Sequence, residues 1–264
     1  MSDFAHQSPR FPWRLFWVLL VAGILGAVAI IPLALDVFLP AIPVAPQQSL
    51  PFPLIVAIGI AQNLILLALM VFVGITLGRK LRLGAPLLES WLEKDRKSPG
   101  WKTSLRDGLL VGIGVGIILV LIVLALVPSL PKLPFVAIAR ITFWKRILAC
   151  FYGGLFEELL TRFFLLTLVA WIATKIARKG QGKLVSMPFW IANVLVAVLF
   201  GLGHLPSASL LMPITPLVVG AALLLNGIAA VPFGMLYRKH GLESAMIAHF
   251  SADFLLYVIG TSFL

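Results

Sequence analysis

The chain has a single cysteine, Cys150. No intrachain disulfide can form, and no cysteine cluster can cage a metal. Cys150 is therefore read as ordinary packing. Charge is also scarce: Asp, Glu, Lys and Arg make up 12% of the 264 residues, against roughly 25% in a soluble domain. That shortage excludes a soluble globular protein. With 61% of residues hydrophobic, a chain of this size has too little interior to hide its apolar surface. No internal repeat, low-complexity tract or separate polar domain is visible, and no His-Glu-x-x-His pair announces a metal site on one helix.

Apolar runs are what the chain has in abundance. Mean hydropathy is +1.06, and the runs 15–31, 54–77, 109–127 and 187–203 are nearly uncharged. Each comes close to the ~20 residues that cross a bilayer. The pattern predicts an all-α, polytopic bundle of seven transmembrane spans, near 13–39, 54–77, 105–127, 147–172, 187–203, 214–236 and 242–264. The prolines at 206, 213, 216 and 232 leave room for an eighth or re-entrant piece. The first run follows Arg10 and Arg14 as a signal sequence would. It exceeds the usual ~7–15 apolar residues and no small-residue cleavage site follows, so it is read as a retained span. Pro32 and Asp36 should kink or end it early. Residues 40–53 read as a stiff proline-rich connector, and 87–94 as a short amphipathic helix.

The net charge of +11 is distributed as a membrane protein distributes it, not as a nucleic-acid binder would. Of the 21 Lys and Arg residues, 20 lie outside the apolar cores. Two precede the first span, eight fall in 78–106, four in 175–183 and two at Arg238 and Lys239. The alternate connections carry few, which puts the N-terminus and the 78–106 loop in the cytoplasm of a cell (inner or plasma) membrane. Lys132, Arg140, Lys145 and Arg146 dissent; an interfacial amphipathic helix would accommodate them. The division expected is 1–140, N-terminal spans and cytoplasmic loop, and 141–264, the core that carries the chemistry, within one membrane domain.

Charge inside a span costs ~2.5–3.5 kcal/mol on insertion scales, so each instance needs a reason. The fourth span carries Glu157, Glu158 and Arg162. Glu158 and Arg162 share a face at the favourable i,i+4 spacing, while Glu157 points ~100° away. Arg162 is thus expected to hold Glu158 as a supporting ion pair, leaving Glu157 available as a general base. Phe200 and His204 close the fifth span, with Gly201 and Gly203 between them. His249 and Asp253 share a face of the last. His6 and His240 fall in polar segments and are read as incidental. Singly, each buried group has a structural explanation; together they form a kit for activating water, with or without a metal. A proton-coupled transporter, or a non-catalytic scaffold, could use the same charges. By length, His204 lies about 26 Å into its span and Glu157 about 15 Å into its own. His249 starts nearer the cytoplasmic end still, so boundaries must shift or helices tilt for the three to meet.

The ordered motifs Glu157-Glu158-x-x-x-Arg162, Phe200-x-x-x-His204 and His249-x-x-x-Asp253 resemble those of the CAAX-protease and bacteriocin-processing (CPBP) family. The likeness covers roughly residue 151 to the C-terminus. It implies an intramembrane endopeptidase, generally classed as a zinc metalloprotease, although a metal-independent glutamate mechanism has also been argued for the family. Glu157 and His204 would activate water, and His249 with the residue at 253 would stabilise the oxyanion. Zinc, if used, would be held by Glu157, His204 and His249. The partner implied is a membrane-anchored protein or peptide, prenylated or not; a role in bacteriocin self-immunity is the non-proteolytic counterpart. Many members have Asn at the last position. Asp253, which can only accept when ionised, is instead expected to orient His249 through a ring N–H.

Overall fold

The computed structural model describes residues 11–41, 52–93, 100–130, 133–177 and 186–264. All regular structure in them is helical, and seven helices are long and apolar enough to cross a membrane. The chain is a multi-pass membrane protein. Its spans are Trp13–Val37, Ala57–Leu81, Trp101–Leu126, Phe143–Ile176, Ser186–Ser209, Pro216–His240 and Leu242–Phe263. No eighth appears among the described residues. His6 and most of the 40–53 connector lie outside them.

The first span is broken as Pro32 demands. It consists of α1 (Trp13–Ala29) and α2 (Ile31–Val37), with the proline in the first turn of α2, where its missing N–H costs nothing. The second span is α3 (Phe52–Leu81). A connection holding the short α4 (Pro86–Leu92) leads to the third, α5 (Trp101–Leu126). After α6 (Pro134–Ile138), the fourth span begins as α7 (Phe143–Phe151) and ends as α8 (Thr167–Ile176). The fifth is α9 (Ser186–Gly203) with α10 (Leu205–Ser209), the sixth α11 (Pro216–His240). The seventh starts as α12 (Leu242–Asp253). The prolines after His204 therefore make a short helix and a turn, not a re-entrant segment.

Glycine decides which helices approach closely, since lipid offers no hydrophobic drive for one helix to prefer another. On α5, Gly108, Gly112 and Gly116 form one stripe. A Cβ on Gly108 would stand 2.8 Å from the Ser244 carbonyl, and one on Gly116 would stand 2.8 Å from Leu255 Cβ. A Cβ on Gly112 would strike the Ala248 carbonyl. This stripe presses α5 against α12, the most extensive helix pairing in the bundle. Gly26 of α1 comes equally close to span four, where a Cβ would stand 2.9 Å from the Phe156 nitrogen.

A polar clasp closes the end that carries residues 78–106. Leu242 N–H donates to Gly84 O at 2.9 Å, and Leu88 N–H donates to Glu243 Oε1 at 2.8 Å. Glu89 caps α4 from within, accepting from Ala85 N–H at 3.3 Å, and burial pushes its carboxyl above the ordinary carboxylate range. His240 is not incidental. Its Nε2 lies 2.9 Å from Asp107 Oδ2, which Lys239 also reaches at 3.0 Å, so it ties the sixth span to the third.

At the opposite end, the dissenting basic residues do not form a separate interfacial helix. Lys145 and Arg146 belong to the first turns of span four. Lys145 pairs with Asp36 at 2.5 Å, and Arg146 donates to the Tyr257 carbonyl and the Thr261 hydroxyl. Arg140 is exposed, and Lys132 lies outside the described residues.

Candidate active site

Span four does not remain α-helical where it carries its acids. Tyr152–Glu157 and Leu159–Leu166 are wound as π-helix, a form that is rare and concentrates at functional sites. Wider winding displaces carbonyls from their α partners, and threonines take them up. Thr161 Oγ1 donates to Glu157 O, and Thr167 Oγ1 donates to Arg162 O at 3.1 Å. Gly153 and Gly154 sit in the first wide turn. A Cβ on Gly153 would run into the Asp253 carboxylate and stand 2.9 Å from His249 Nε2; one on Gly154 would stand 3.1 Å from Met246 O. Only glycine lets this turn lie against α12.

The two glutamates divide as expected. Glu158 is fully buried, with Oε1 2.7 Å from Arg162 Nη1. Arg162 is itself 2% exposed. Its Nη2 donates to Ala230 O at 3.2 Å, and its guanidinium lies 5.5 Å from the Phe200 ring centre and 5.4 Å from that of Phe233. Hydrogen bonds and ring faces together neutralise a charge that burial alone would not tolerate. Beside Pro232 in α11, Ala230 O accepts from Arg162 and Val231 O accepts from Asn193 Nδ2 at 3.0 Å, which ties spans four and five to span six.

Glu158 also does something the spacing did not reveal. Its Oε1 accepts from His249 Nδ1 at 2.6 Å. The orienting contact expected from Asp253 is thus made by Glu158, ninety-one residues away in sequence. Asp253 Oδ2 instead stands 3.6 Å from the other ring nitrogen, Nε2. An i,i+4 spacing puts Asp253 on the correct face, but the ring plane decides which nitrogen it meets.

Both histidines are held alike. His204 Nδ1 lies 2.8 Å from Phe200 O, a carbonyl that can only accept, so Nδ1 carries the proton. Each ring then turns Nε2 toward Glu157: His204 Nε2 is 4.0 Å from Oε1, and His249 Nε2 is 3.5 Å from Oε2. The structure therefore brings Glu157, His204, His249 and Asp253 together despite their different depths in sequence. Side-chain exposure falls from 38% at His204 to 14% at Glu157, 10% at Asp253 and 6% at His249, which orders them from mouth to floor. They line one cavity of about 680 Å³, walled otherwise mainly by apolar side chains, with Tyr152, Thr161, Ser207, Asn226 and Tyr257 among them.

Tied Nδ1 atoms and free Nε2 atoms are what metal-binding histidines show. The spacing does not follow suit. Among the described residues, no three His, Cys, Asp or Glu side chains are grouped to hold a metal ion. The tautomers suit a zinc held by Glu157, His204 and His249, which would polarise the scissile carbonyl and its attacking water; the steps derived below use only the side chains themselves.

Tyr152, Gly153 and Gly154 are site residues that the spacing analysis passed over, although a Gly-Gly pair three residues before two buried acids was a signal of close helix approach. Comparison with known proteins bears on the same region. No curated protein and no solved structure matches the chain. A family model does: that of the Rce1-like type II CAAX prenyl endopeptidases, over residues 139–255. That interval contains all six charged and imidazole groups just described, and over this stretch, with its three motifs on spans four, five and seven, the chain is similar to the Rce1-like endopeptidases.

Proposed function

We propose that the chain is an intramembrane endopeptidase that hydrolyses a peptide bond of a membrane-anchored protein with a water activated by Glu157. The observation that carries this is the position of the Glu157 carboxylate between two imidazole Nε2 atoms, on the wall of a largely apolar cavity. Its separations of 4.0 and 3.5 Å are longer than direct hydrogen bonds and suit groups bridged by water.

In the reaction, a water held by Glu157 and His204 Nε2 gives one proton to the Glu157 carboxylate as its oxygen adds to the scissile carbonyl carbon. The carbonyl oxygen becomes an oxyanion. His249, its Nδ1–H fixed on Glu158, meets that charge from Nε2 when this nitrogen also carries a proton. The C–N bond then breaks and the proton on Glu157 passes to the leaving amine, which restores the carboxylate. Asp253 Oδ2, 3.6 Å from Nε2, can only accept when ionised and so does not itself donate to the oxyanion. Glu158 and Arg162 hold the geometry and exchange no proton.

Orientation forms part of the proposal. Sixteen of the 20 basic residues outside the apolar cores lie on the side of the 78–106 loop, which supports a cytoplasmic placement of that side. Two of the four dissenters, Lys145 and Arg146, have partners within the bundle, which weakens their vote.

The test uses detergent-purified full-length protein with a fluorogenic peptide ending in farnesylcysteine plus three residues, alongside its unlipidated counterpart. Glu157→Gln should lower the cleavage rate by about 10²–10⁴-fold, the range of general-base contributions, without lowering the unfolding temperature. Cleavage at the wild-type rate would falsify the assignment. Dialysis against a chelator should leave activity intact under the carboxylate mechanism; loss that added zinc restores would replace that mechanism with a metal-assisted one.

A further inference from the structure

The cavity opens toward one end of the bundle. Its outer walls come from Phe38 at the end of span one, Pro134 and Phe135 of α6, and Pro206 and Met212 after span five. All of these lie in or beside the connections 38–56, 127–142 and 210–215. Because consecutive spans cross in opposite directions, these connections share one side of the membrane. The connections at 82–100, 177–185 and 241 share the other.

The floor points the same way. Beyond His249 and Arg162, toward the basic end, Phe163, Phe233, Tyr237 and Leu242 are each at most 1% exposed. They seal the bundle there. His204, the most exposed of the site's groups at 38%, stands where α9 gives way to α10, on the open side.

Charge fixes which side that is. The sealed side carries sixteen of the 20 basic residues outside the apolar cores and the open side four, with two of the four already partnered. Positive connections stay in the cytoplasm. We infer that the catalytic cavity opens to the outer, non-cytoplasmic face of the membrane, so that its substrates are polypeptide segments exposed on that face: exported chains, or the outer portions of membrane-anchored proteins. This rests on the proposed peptidase reading for the word substrate, but the direction of the opening does not depend on it.

Two single-cysteine reporters separate the questions. Cys150 is fully buried, so the parent protein is the blank. Ser129, in the exposed turn before α6, marks the open side, and exposed Glu93, after α4, marks the sealed side. In intact cells, a membrane-impermeant maleimide should label Ser129→Cys and spare Glu93→Cys, which should become reactive only after permeabilisation. The reverse pattern, or labelling of both in intact cells, overturns the inference. Neither result touches cleavage by the purified enzyme, so a bundle oriented the other way could still be a peptidase. For the substrate, new protein termini that depend on the enzyme are mapped in cells carrying the wild type or Glu157→Gln. Termini lost in the variant should lie in outer-face segments; termini confined to cytoplasmic segments would overturn the inference. Absence of any difference, with the expected labelling, would instead count against the peptidase reading.

Discussion

At the scale of the residue, Glu158 is the pivot of the site's geometry. One of its oxygens accepts from both Arg162 and His249. Removing Arg162 would leave a buried carboxylate uncompensated, a loss of about 3–5 kcal/mol for buried pairs. Arg162→Ala should therefore lower the unfolding temperature in detergent and reduce activity with it, whereas Glu157→Gln should reduce activity alone. Equal destabilisation by the two would point to a structural role for Glu157. The pairing of Glu158 with Arg162 was legible in the sequence because it is local and obeys helical spacing. The bond from Glu158 to His249 was not, because nothing in the order of residues says which ring nitrogen faces which acid. Asp253 shows the same limit from the other side: its face was readable, its partner atom was not.

At the scale of the element, the span positions and the break near Pro32 follow from hydropathy and from the chemistry of proline, and both were readable. The π-wound turns of span four were not. The first of them, Tyr-Gly-Gly-Leu-Phe-Glu, suits an α-helix as well, so no local signal marks the wider winding. Glycine spacing was a clue that the reading of the chain used only at Gly201 and Gly203. The stripe on α5 carries a sharper test. Gly112→Ala drives a methyl into the Ala248 carbonyl and should cost about 1–3 kcal/mol, as overpacking does. Gly114, two positions on, has open space around it, and its replacement by Ala should be neutral or slightly stabilising. Thermal unfolding of the two variants side by side distinguishes contact from mere helix propensity; equal shifts would mean that the α5–α12 seam is not tight.

At the scale of the whole molecule, the family match begins at residue 139, yet the site it contains is not self-sufficient. The first span supplies cavity wall at Ile30, Leu33 and Phe38, and the third presses along α12. Residues 139–264 expressed alone should therefore fail to yield a monodisperse, active protein, and co-expression with residues 1–138 should restore it. An active isolated C-terminal half would show that the first three spans are accessory. Span four, Phe143–Ile176, has a consequence of a different kind. Its 34 residues exceed the ~20 that cross a hydrocarbon layer, a surplus that the tighter rise of its π-wound turns only partly takes up. Such an excess is absorbed by tilting, or by thickening the surrounding lipid. Both glutamates ride on this one oversized helix, so the thickness of the host bilayer becomes a variable of the enzyme, acting on the angle at which Glu157 is presented to the histidines of its neighbours.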